Sequence, residues 1–410
     1  MDGGVAELLL FVGWEQRKLG EMSDSLEYGL NVAATEFDGV HKYIRITDID
    51  DSNHEFLQNG LTSPDTDLTV ADNYKLLEGD ILFARTGASV GKTYIYKESD
   101  GHVYYAGFLI RIRINNKYDA HFVFQNTLTD SYKNFVKITS QRSGQPGINA
   151  QEYRNFSINV PTKEEQIKVG IFFGKLDIAI ALHQQKYDQL IQLKKAYLDL
   201  MFPKNGESVP KVRFADFQDP WEQRKLSDVA NHRGGTAIEK FFDDNGPYKV
   251  ISIGSYGLDS KYVDQNIRAL SNDTTDGRVV HSGELTMVLN DKTANGTIIG
   301  RSLLIEQDNE YVINQRTEIV SPNENLNADF AYTVLNGPFR EKVKRIVQGG
   351  TQIYVNYPAV ERLILELPNI DEQKKIGAFF KNLDATIALH QRKLEKLKRL
   401  KQAYLQKMFI

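Results

Sequence analysis

Two long stretches of this chain place their apolar residues at alternating steps of four and three. In the later one, Leu383, Ile387, His390, Leu394, Leu397, Lys401, Tyr404 and Met408 form such a series, which is the seam of a helix that lays one stripe against a partner helix. The earlier one repeats it with Leu176, Ile180, His183, Tyr187, Leu190, Lys194, Tyr197 and Met201, and Leu193 and Leu400 flank the same stripe. Upstream of each seam, Thr162 or Asn369 follows a proline and precedes Glu164 and Glu165 or Asp371 and Glu372. That spacing predicts a helix start, because a side-chain oxygen can accept from the first free amides and carboxylates favour the positive end of the helix dipole. A helix of about 39 residues would span on the order of 58 Å, longer than a compact domain needs, so each is expected to bridge domains. His183, His390, Lys194 and Lys401 put polar groups at matched seam positions, where they are expected to set register and partner. A metal role for the histidines would require further ligands nearby.

Between these helical stretches the apolar pattern changes to period two. Residues 81–96, ILFARTGASVGKTYIY, read as two strands flanking a Gly-rich turn that carries Arg85 and Lys92. LIRIRIN follows, a strand with Arg111 and Arg113 on one face. Near Gln141, Arg142, Ser143 and Gly144, this basic strand surface would suit phosphate and base-edge contacts in a duplex groove. A parallel layout recurs later: a strand over 283–290, a turn with Lys292, Asn295 and Gly296, a strand near 298–305 with Arg301, then Asn314-Gln315-Arg316, Lys344-Arg345 and Gln348-Gly349-Gly350-Thr351-Gln352.

The two halves are copies. WEQRKL occurs at residues 14–19 and again at 221–226, an offset of 207 that also maps Pro161 on Pro368, Gln166 on Gln373, Gly170 on Gly377, His183 on His390 and Met201 on Met408. Over residues 176–202 against 383–409, 16 of 27 positions are identical, which excludes chance. Residues 27–140 and 234–347, by contrast, share little beyond Gly79-Asp80 against Gly283-Glu284. Two long copies with fixed ends and divergent middles suggest one scaffold duplicated to carry two different readers, and a pseudo-twofold object follows. Residues 203–220 break the helical pattern with three prolines and read as the connection between copies. The organisation expected is a first recognition domain over 1–160, a spacer helix over 161–202, a linker over 203–220, a second recognition domain over 221–367 and a C-terminal spacer helix over 368–410.

Composition narrows the classes. At 410 residues and 41% hydrophobic, the chain is too long for one core and too apolar to be disordered. The absence of cysteine excludes disulfide frameworks, cysteine-zinc sites and thiol nucleophiles, and fits a reducing, cytoplasmic setting. A short apolar run over 8–12 follows the acidic Asp2 and Glu7, unlike a secretory signal, and no run reaches the length of a membrane span. Net charge is -4, yet residues 21–80 hold fourteen acids against Lys42, Arg45 and Lys75, whereas 81–145 hold nine bases against four acids. The second long helix carries seven bases between Arg392 and Lys407 with only Glu395 opposing them, a solvated face unless an acidic partner meets it.

Catalytic motifs fail on inspection. GASVGKT at 87–93 has three residues between its glycines where a phosphate-binding loop needs four, and Thr86 stands in place of the first glycine. An Asn/Asp-Pro-Pro-Tyr/Phe motif, a Gly-x-Gly-x-x-Gly loop and a His-Glu-x-x-His pair are all absent from the sequence, and the Glu-x-Lys at 372–374 sits in a helix start with no Pro-Asp nearby. No catalytic or metal-binding residue is therefore assigned.

Taken together, WEQRKL opening each copy, GDILFARTGASVGK in the first middle, and VPTKEEQIKVGIFFGKLD with LPNIDEQKKIGAFFKNLD before the helices closely resemble the specificity subunit of type I DNA restriction-modification enzymes, over nearly the whole chain. The resemblance implies a mixed α/β fold, with two target-recognition domains in tandem pseudo-twofold repeat separated by two long helices forming an antiparallel coiled coil. It implies a non-catalytic chain that binds a bipartite double-stranded DNA site, one half per domain. Two methyltransferase and two restriction-translocase subunits would be its partners and would carry S-adenosylmethionine, ATP and Mg, none of them held by this chain. On this reading the DNA-facing residues are Arg85, Lys92, Arg111, Arg113 and Arg142 in the first domain and Lys292, Arg301, Arg316, Arg345 and Gln352 in the second. Helix packing falls to Leu176, Ile180, His183, Leu190, Tyr197, Met201, Leu383, Ile387, His390, Leu397, Tyr404 and Met408. The lead-in to the first copy departs from the pattern, since Glu7 and Leu10 stand where the second has Phe214 and Phe217. Alternatives are a specificity subunit of a modification-only system, a coiled-coil scaffold that binds protein only, and a self-sufficient enzyme.

If the helices act as a ruler, the site is two unlike half-sites at a constant gap, with centres about one helical turn or ~34–36 Å apart. Inserting four residues into a spacer helix moves a reader by ~6 Å, nearly two base-pair steps, so the methylated motif of cells expressing the variant complex should show a longer gap and the same half-sites. An unchanged gap, or altered half-sites, would show that the helices do not set the spacing.

Overall fold

The computed structural model describes residues 13–142, 144–204, 207–292 and 294–409. The chain divides into two compact units, residues 1–184 with 392–410 and residues 185–391. Each unit therefore contains part of both long helices, which cover Lys163–Leu200 and Ile370–Met408. Their starts are capped as the sequence predicts: Glu165 N donates to Thr162 Oγ1 at 3.4 Å and Glu372 N to Asn369 Oδ1 at 2.9 Å.

In the first unit, the WEQRK segment forms the strand Glu15–Lys18, antiparallel to Ser157–Val160 with Glu15 opposite Val160. In the second unit Glu222–Lys225 pairs with Ile364–Leu367, Glu222 opposite Leu367, the same register shifted by the repeat. The divergent middles also share a frame. The first unit has a four-stranded antiparallel sheet in the order Ser23–Tyr28, Leu109–Ile114, Ile81–Ala84, Thr93–Ile95. The second has Ala230–Gly234, Thr317–Pro322, Leu285–Val288, Ser302–Leu304 in the matching order and sense. The strand expected near 298–305 is shorter than the pattern suggested, because Arg301 and the residues before it form a turn leading into Ser302. Gly79 and Gly283 sit at φ 84 and 85, and the acid after each accepts the amide three residues earlier, Leu77 N to Asp80 at 2.9 Å and His281 N to Glu284 at 2.8 Å. The one similarity between the middles is thus a shared turn that starts the second strand of each frame.

Within each unit the two long helices run antiparallel, and the same contacts hold them. In the first, Lys401 meets Asp177 at 2.6 Å, and the ring centroids of Phe172 and Tyr404 lie 5.0 Å apart. In the second, Lys194 meets Asp384 at 2.6 Å and Tyr197 packs on Phe379 at 5.0 Å. The repeat offset carries one ion pair onto the other. Leu176, Leu190, Met201, Leu383, Ile387 and Leu394 are buried, and the remaining seam residues, His183 and His390 among them, are half-buried. Leu193 and Leu400 are exposed, so the stripe is narrower than the flanking leucines suggested.

Where a helix meets the rest of its unit, the repeated residues have a physical reason. Gln166 donates to Pro161 O at 2.9 Å and accepts from Asp119 N at 3.0 Å, and Gln373 does the same with Pro368 O and Asn327 N. Both glutamines are buried, so each links its long-helix start to the start of a short helix, Ala120–Asn126 or Ala328–Asn336, without leaving a buried polar atom unsatisfied. Gly377 lies against that same helix start, where a Cβ would come within 2.8 Å of Phe330 N. An aromatic cluster closes each unit: Trp14, Phe122, Phe173 and Phe409 in the first, Trp221, Phe330, Phe380 and Phe202 in the second. In the second unit the linker covers the outer face of the helix, with Arg213 paired to the buried Glu372 at 2.7 Å, Phe214 on Phe379 and Lys375 over the Phe217 ring at 5.0 Å. The first-copy counterparts Glu7 and Leu10, like the apolar run over 8–12, lie outside the described residues.

Gly377→Ala should destabilise the chain by about 1–3 kcal/mol through overpacking against backbone. Gly174→Ala, in the interior of the first helix with nothing within 4 Å of the added Cβ, should be neutral or stabilise by up to about 1 kcal/mol. Thermal unfolding of the two variants beside the parent checks this, and equal midpoints would refute it.

Candidate nucleic-acid interface

Part of the lopsided charge of the first unit is paired within the unit. Lys92 pairs with Asp51 at 2.6 Å and donates to Ile49 O, Lys97 pairs with Glu55 at 2.7 Å, and Arg113 pairs with Asp80 at 2.8 Å. Arg111, 3% exposed, pairs with Glu27, donates to Asn73 O at 2.7 Å and stacks on Tyr105. Each pair joins the basic segment to the acidic one. The expectation that Arg111 faces DNA is corrected, since it is buried against Glu27; Lys92 and Arg113, expected beside it, also pair with carboxylates of the same unit, and Arg113 stays partly exposed. Leu109–Ile114 is a central strand of the sheet; on it Arg111 is buried and Arg113 is partly exposed. Arg301, expected on the DNA face of the second unit, is also engaged within the fold. It is half-buried, bonds Ser260 Oγ and Thr297 O at 2.9 Å each, and burial lowers its pKa. Buried Arg340 braces the turn carrying Lys292 through the carbonyls of Gly296, Thr297 and Ile299, at 2.8 to 2.9 Å.

Arg85 and Arg316 stand at one end of each sheet. In the first unit, Gly29 N donates to Leu109 O (3.1 Å), Arg85 N to Phe108 O (3.0 Å) and Ile148 N to Arg85 O (2.9 Å). In the second, Gly235 N donates to Thr317 O (2.9 Å), Leu289 N to Arg316 O (3.0 Å) and Val355 N to Leu289 O (2.9 Å). Four segments thus lie side by side in matching order and form a rim. A groove of about 680 Å³ borders the first rim, lined by Tyr28, Asn31, Arg45, Thr47, Arg85 and Phe108. One of about 770 Å³ borders the second, with Asn290, Arg316, Glu318, Tyr354 and Asn356.

Arg85 lies over the Tyr28 ring at 4.8 Å, a cation–π contact that fixes the guanidinium while leaving it half-exposed. Arg142 is exposed nearby but tied to the carbonyls of Thr139 and Gln141 and to Glu152. Ser143 lies outside the described residues. In the second unit Arg316 is exposed, and its Nη1 meets the Asn290 side-chain oxygen at 2.8 Å when that amide is turned to satisfy both its neighbours. Beneath it the buried Glu318 bonds His232 at 2.6 Å; burial pushes this carboxyl up and the histidine draws it down. Lys292, Arg345 and Gln352 are exposed on surrounding turns. Among the described residues no group of three or more His, Asp or Glu side chains could hold a metal ion.

Sequence reasoning missed Tyr28, Phe108, Asn290, Tyr354 and Asn356. Aromatic residues next to apolar strands read as core, and only the hydrogen-bonded order of the segments brings them to the rim.

A family model described as the type I restriction modification DNA specificity domain matches residues 12–192 and again 218–399. Among curated proteins, the type I restriction enzyme MjaVIII specificity subunit of Methanocaldococcus jannaschii is 23% identical over 90% of this chain and 84% of its own length. The putative MjaX specificity subunit of the same organism is 21% identical over 95% of this chain and 91% of its own. Two solved structures share the fold. The S subunit of a type I restriction-modification system from M. genitalium has a TM-score of 0.67 at 12% identity, covering 99% of this chain and 98% of that one. A chain from a study of complex assembly and conformational transition of the type I R-M system has a TM-score of 0.50 at 17% identity, covering 96% of both. With the family domain matched in both copies, over rims built alike and furnished differently, this chain belongs to the DNA specificity subunits of type I restriction-modification systems.

Proposed function

We propose that this chain binds a bipartite double-stranded DNA site, one half per unit, and directs adenine methylation or restriction by partner subunits while catalysing neither itself. The observation that carries the reading is the rim: the same hydrogen-bonded frame occurs in both units with different side chains on it. A common frame with different chemistry is what two unlike half-sites require, because phosphate contacts orient a reader whereas base-edge contacts specify. Arg85 and Arg142 in the first unit, and Lys292, Arg316, Arg345 and Gln352 in the second, supply the cations and amides for this; Lys92, Arg111, Arg113 and Arg301 serve the fold.

Two methyltransferase subunits and two restriction-translocase subunits are the proposed partners, with S-adenosylmethionine, ATP and Mg bound on them. A modification-only system would use the same chain. A cytoplasmic location accords with the absence, among the described residues, of any helix long and apolar enough to cross a membrane.

Sequencing the methylome of cells that express the chain with its methyltransferase subunit should return one motif of two unlike halves with a fixed gap, and the purified chain alone should show no methyltransferase, ATPase or nuclease turnover. A continuous motif, or turnover by the chain alone, would overturn the reading. Arg85 and Arg113 should separate cleanly. Arg85→Ala should weaken duplex binding by the complex and leave stability nearly unchanged. Arg113→Ala leaves Asp80, 1% exposed, without its cation and should cost on the order of 3 kcal/mol in unfolding. Equal effects of the two substitutions on both measurements would refute the division of roles.

A further inference from the structure

The two rims coincide most closely at the residue that enters the central strand, Phe108 before Leu109–Ile114 and Arg316 before Thr317–Pro322. Each has its carbonyl bonded by the residue that follows the neighbouring strand, Arg85 or Leu289. Each is approached from the other side by a glycine that has no room for a side chain: a Cβ on Gly29 would lie 2.3 Å from Ala106 O, and one on Gly235 would lie 2.0 Å from Asn314 O. The hydrogen bonds and the close glycine around this point are therefore alike in both units, while the residue itself differs both in side chain and in backbone, since Arg316 takes a positive φ and Phe108 does not.

Both side chains project from a rigid support. Phe108 is 59% exposed although the strand it enters is buried, beside Tyr28 at 43%. No stability reason places a phenylalanine in water there, and the loop is already held by Gly107 N to Leu30 O and Ala106 N to Ile44 O. Arg316 has φ 67, a left-handed conformation that costs a non-glycine residue on the order of 1 kcal/mol or more and is held where surrounding structure over-determines it. The determining contacts converge on Asn314, whose side chain accepts from Ile238 N and Gln315 N and donates to Glu239, while its carbonyl accepts from Thr317 Oγ1. Beyond Asn290, Arg316 has no side-chain partner among the described residues.

Resting on the proposed reading of a bipartite duplex site, we infer that the residue entering the central strand is the base-reading determinant of each unit, Phe108 through apolar contact with a thymine methyl group and Arg316 through a bidentate pair to guanine. An arginine fork matches guanine O6 and N7, and a phenyl ring can meet the thymine methyl in the major groove but has no hydrogen bond to offer. The half-site of the first unit then contains a thymine, and that of the second a guanine, at the base pair facing this position.

The test uses the full chain assembled with its methyltransferase subunits and reads methylated motifs genome-wide for the parent, Phe108→Ala, Arg316→Ala and Arg316→Lys. The parent should show a thymine in one half and a guanine in the other. Phe108→Ala should relax that thymine alone, and Arg316→Ala should relax the guanine alone by about tenfold to hundredfold, with Arg316→Lys between it and the parent. Unchanged motifs in either variant, or a change in the same half for both, would overturn the inference. If a variant methylates nothing, duplex binding by the purified complex decides: equal weakening across duplexes substituted at each base pair marks a phosphate or folding role and overturns it, whereas loss of discrimination at one pair supports it. A parent complex that yields no two-part motif would instead defeat the reading of function on which the inference rests.

Discussion

A lysine in the seam between two helices must find a carboxylate or lose its hydration for nothing, and in this chain it finds one twice. Lys194 with Asp384 and Lys401 with Asp177 are the same ion pair placed at equivalent points of the repeat. Each of these four side chains is largely covered, so the contact is worth more as a constraint than as net stability, since desolvation offsets most of the Coulomb attraction. A slip of one heptad would put Gly377 or Gln391 in place of Asp384, and Gly170 or Gln184 in place of Asp177, leaving each ammonium without a carboxylate. The pairs therefore favour one register and the antiparallel sense, which brings the aromatic cluster of each unit together at the helix end. The buried glutamine and the side-chain-free glycine then fix how each unit's sheet-bearing part sits on its helix.

Electrostatics in the first unit shows why net local charge is a poor guide to a binding face. The acidic segment over 21–80 and the basic one over 81–145 are complementary halves of one folded body, joined by Lys92–Asp51, Lys97–Glu55, Arg111–Glu27 and Arg113–Asp80. The second unit uses the same device with different partners, Arg233–Glu284 and Lys249–Glu310. At the sheet ends themselves the cations are few, Arg85 beside Tyr28 and Phe108 and Arg316 beside Tyr354. An interface with few free cations and several exposed aromatic and amide groups is suited to discrimination between bases more than to general attraction for phosphate.

The frame itself accounts for the divergence of the middles. Backbone hydrogen bonds, a left-handed glycine before each second strand and a close glycine contact beside each central strand build the rim, and none of these prescribes the side chains that stand on it. Glu284 and Asp80 occupy the same turn yet meet arginines from different strands, Arg233 and Arg113. Substitution can therefore run freely through the middles provided that the turns, the glycines and the interior ion pairs are each satisfied somehow.

The sequence by itself determined the duplication, the helix starts at Thr162 and Asn369, the seam, the hairpin over 81–96 and the mixed fold, because each depends on local spacing or on identity between copies. The family too was legible, since the matched ends are long and ungapped. Which arginines are free was decided only by the tertiary structure. Arg85 and Arg111 look alike in a basic strand-rich stretch, but one stands at the end of the sheet and the other beneath it, and that difference comes from strand order. The rim residues Phe108 and Arg316 were likewise invisible as a pair, because their equivalence rests on hydrogen bonds to segments tens of residues away in a region where the copies no longer align.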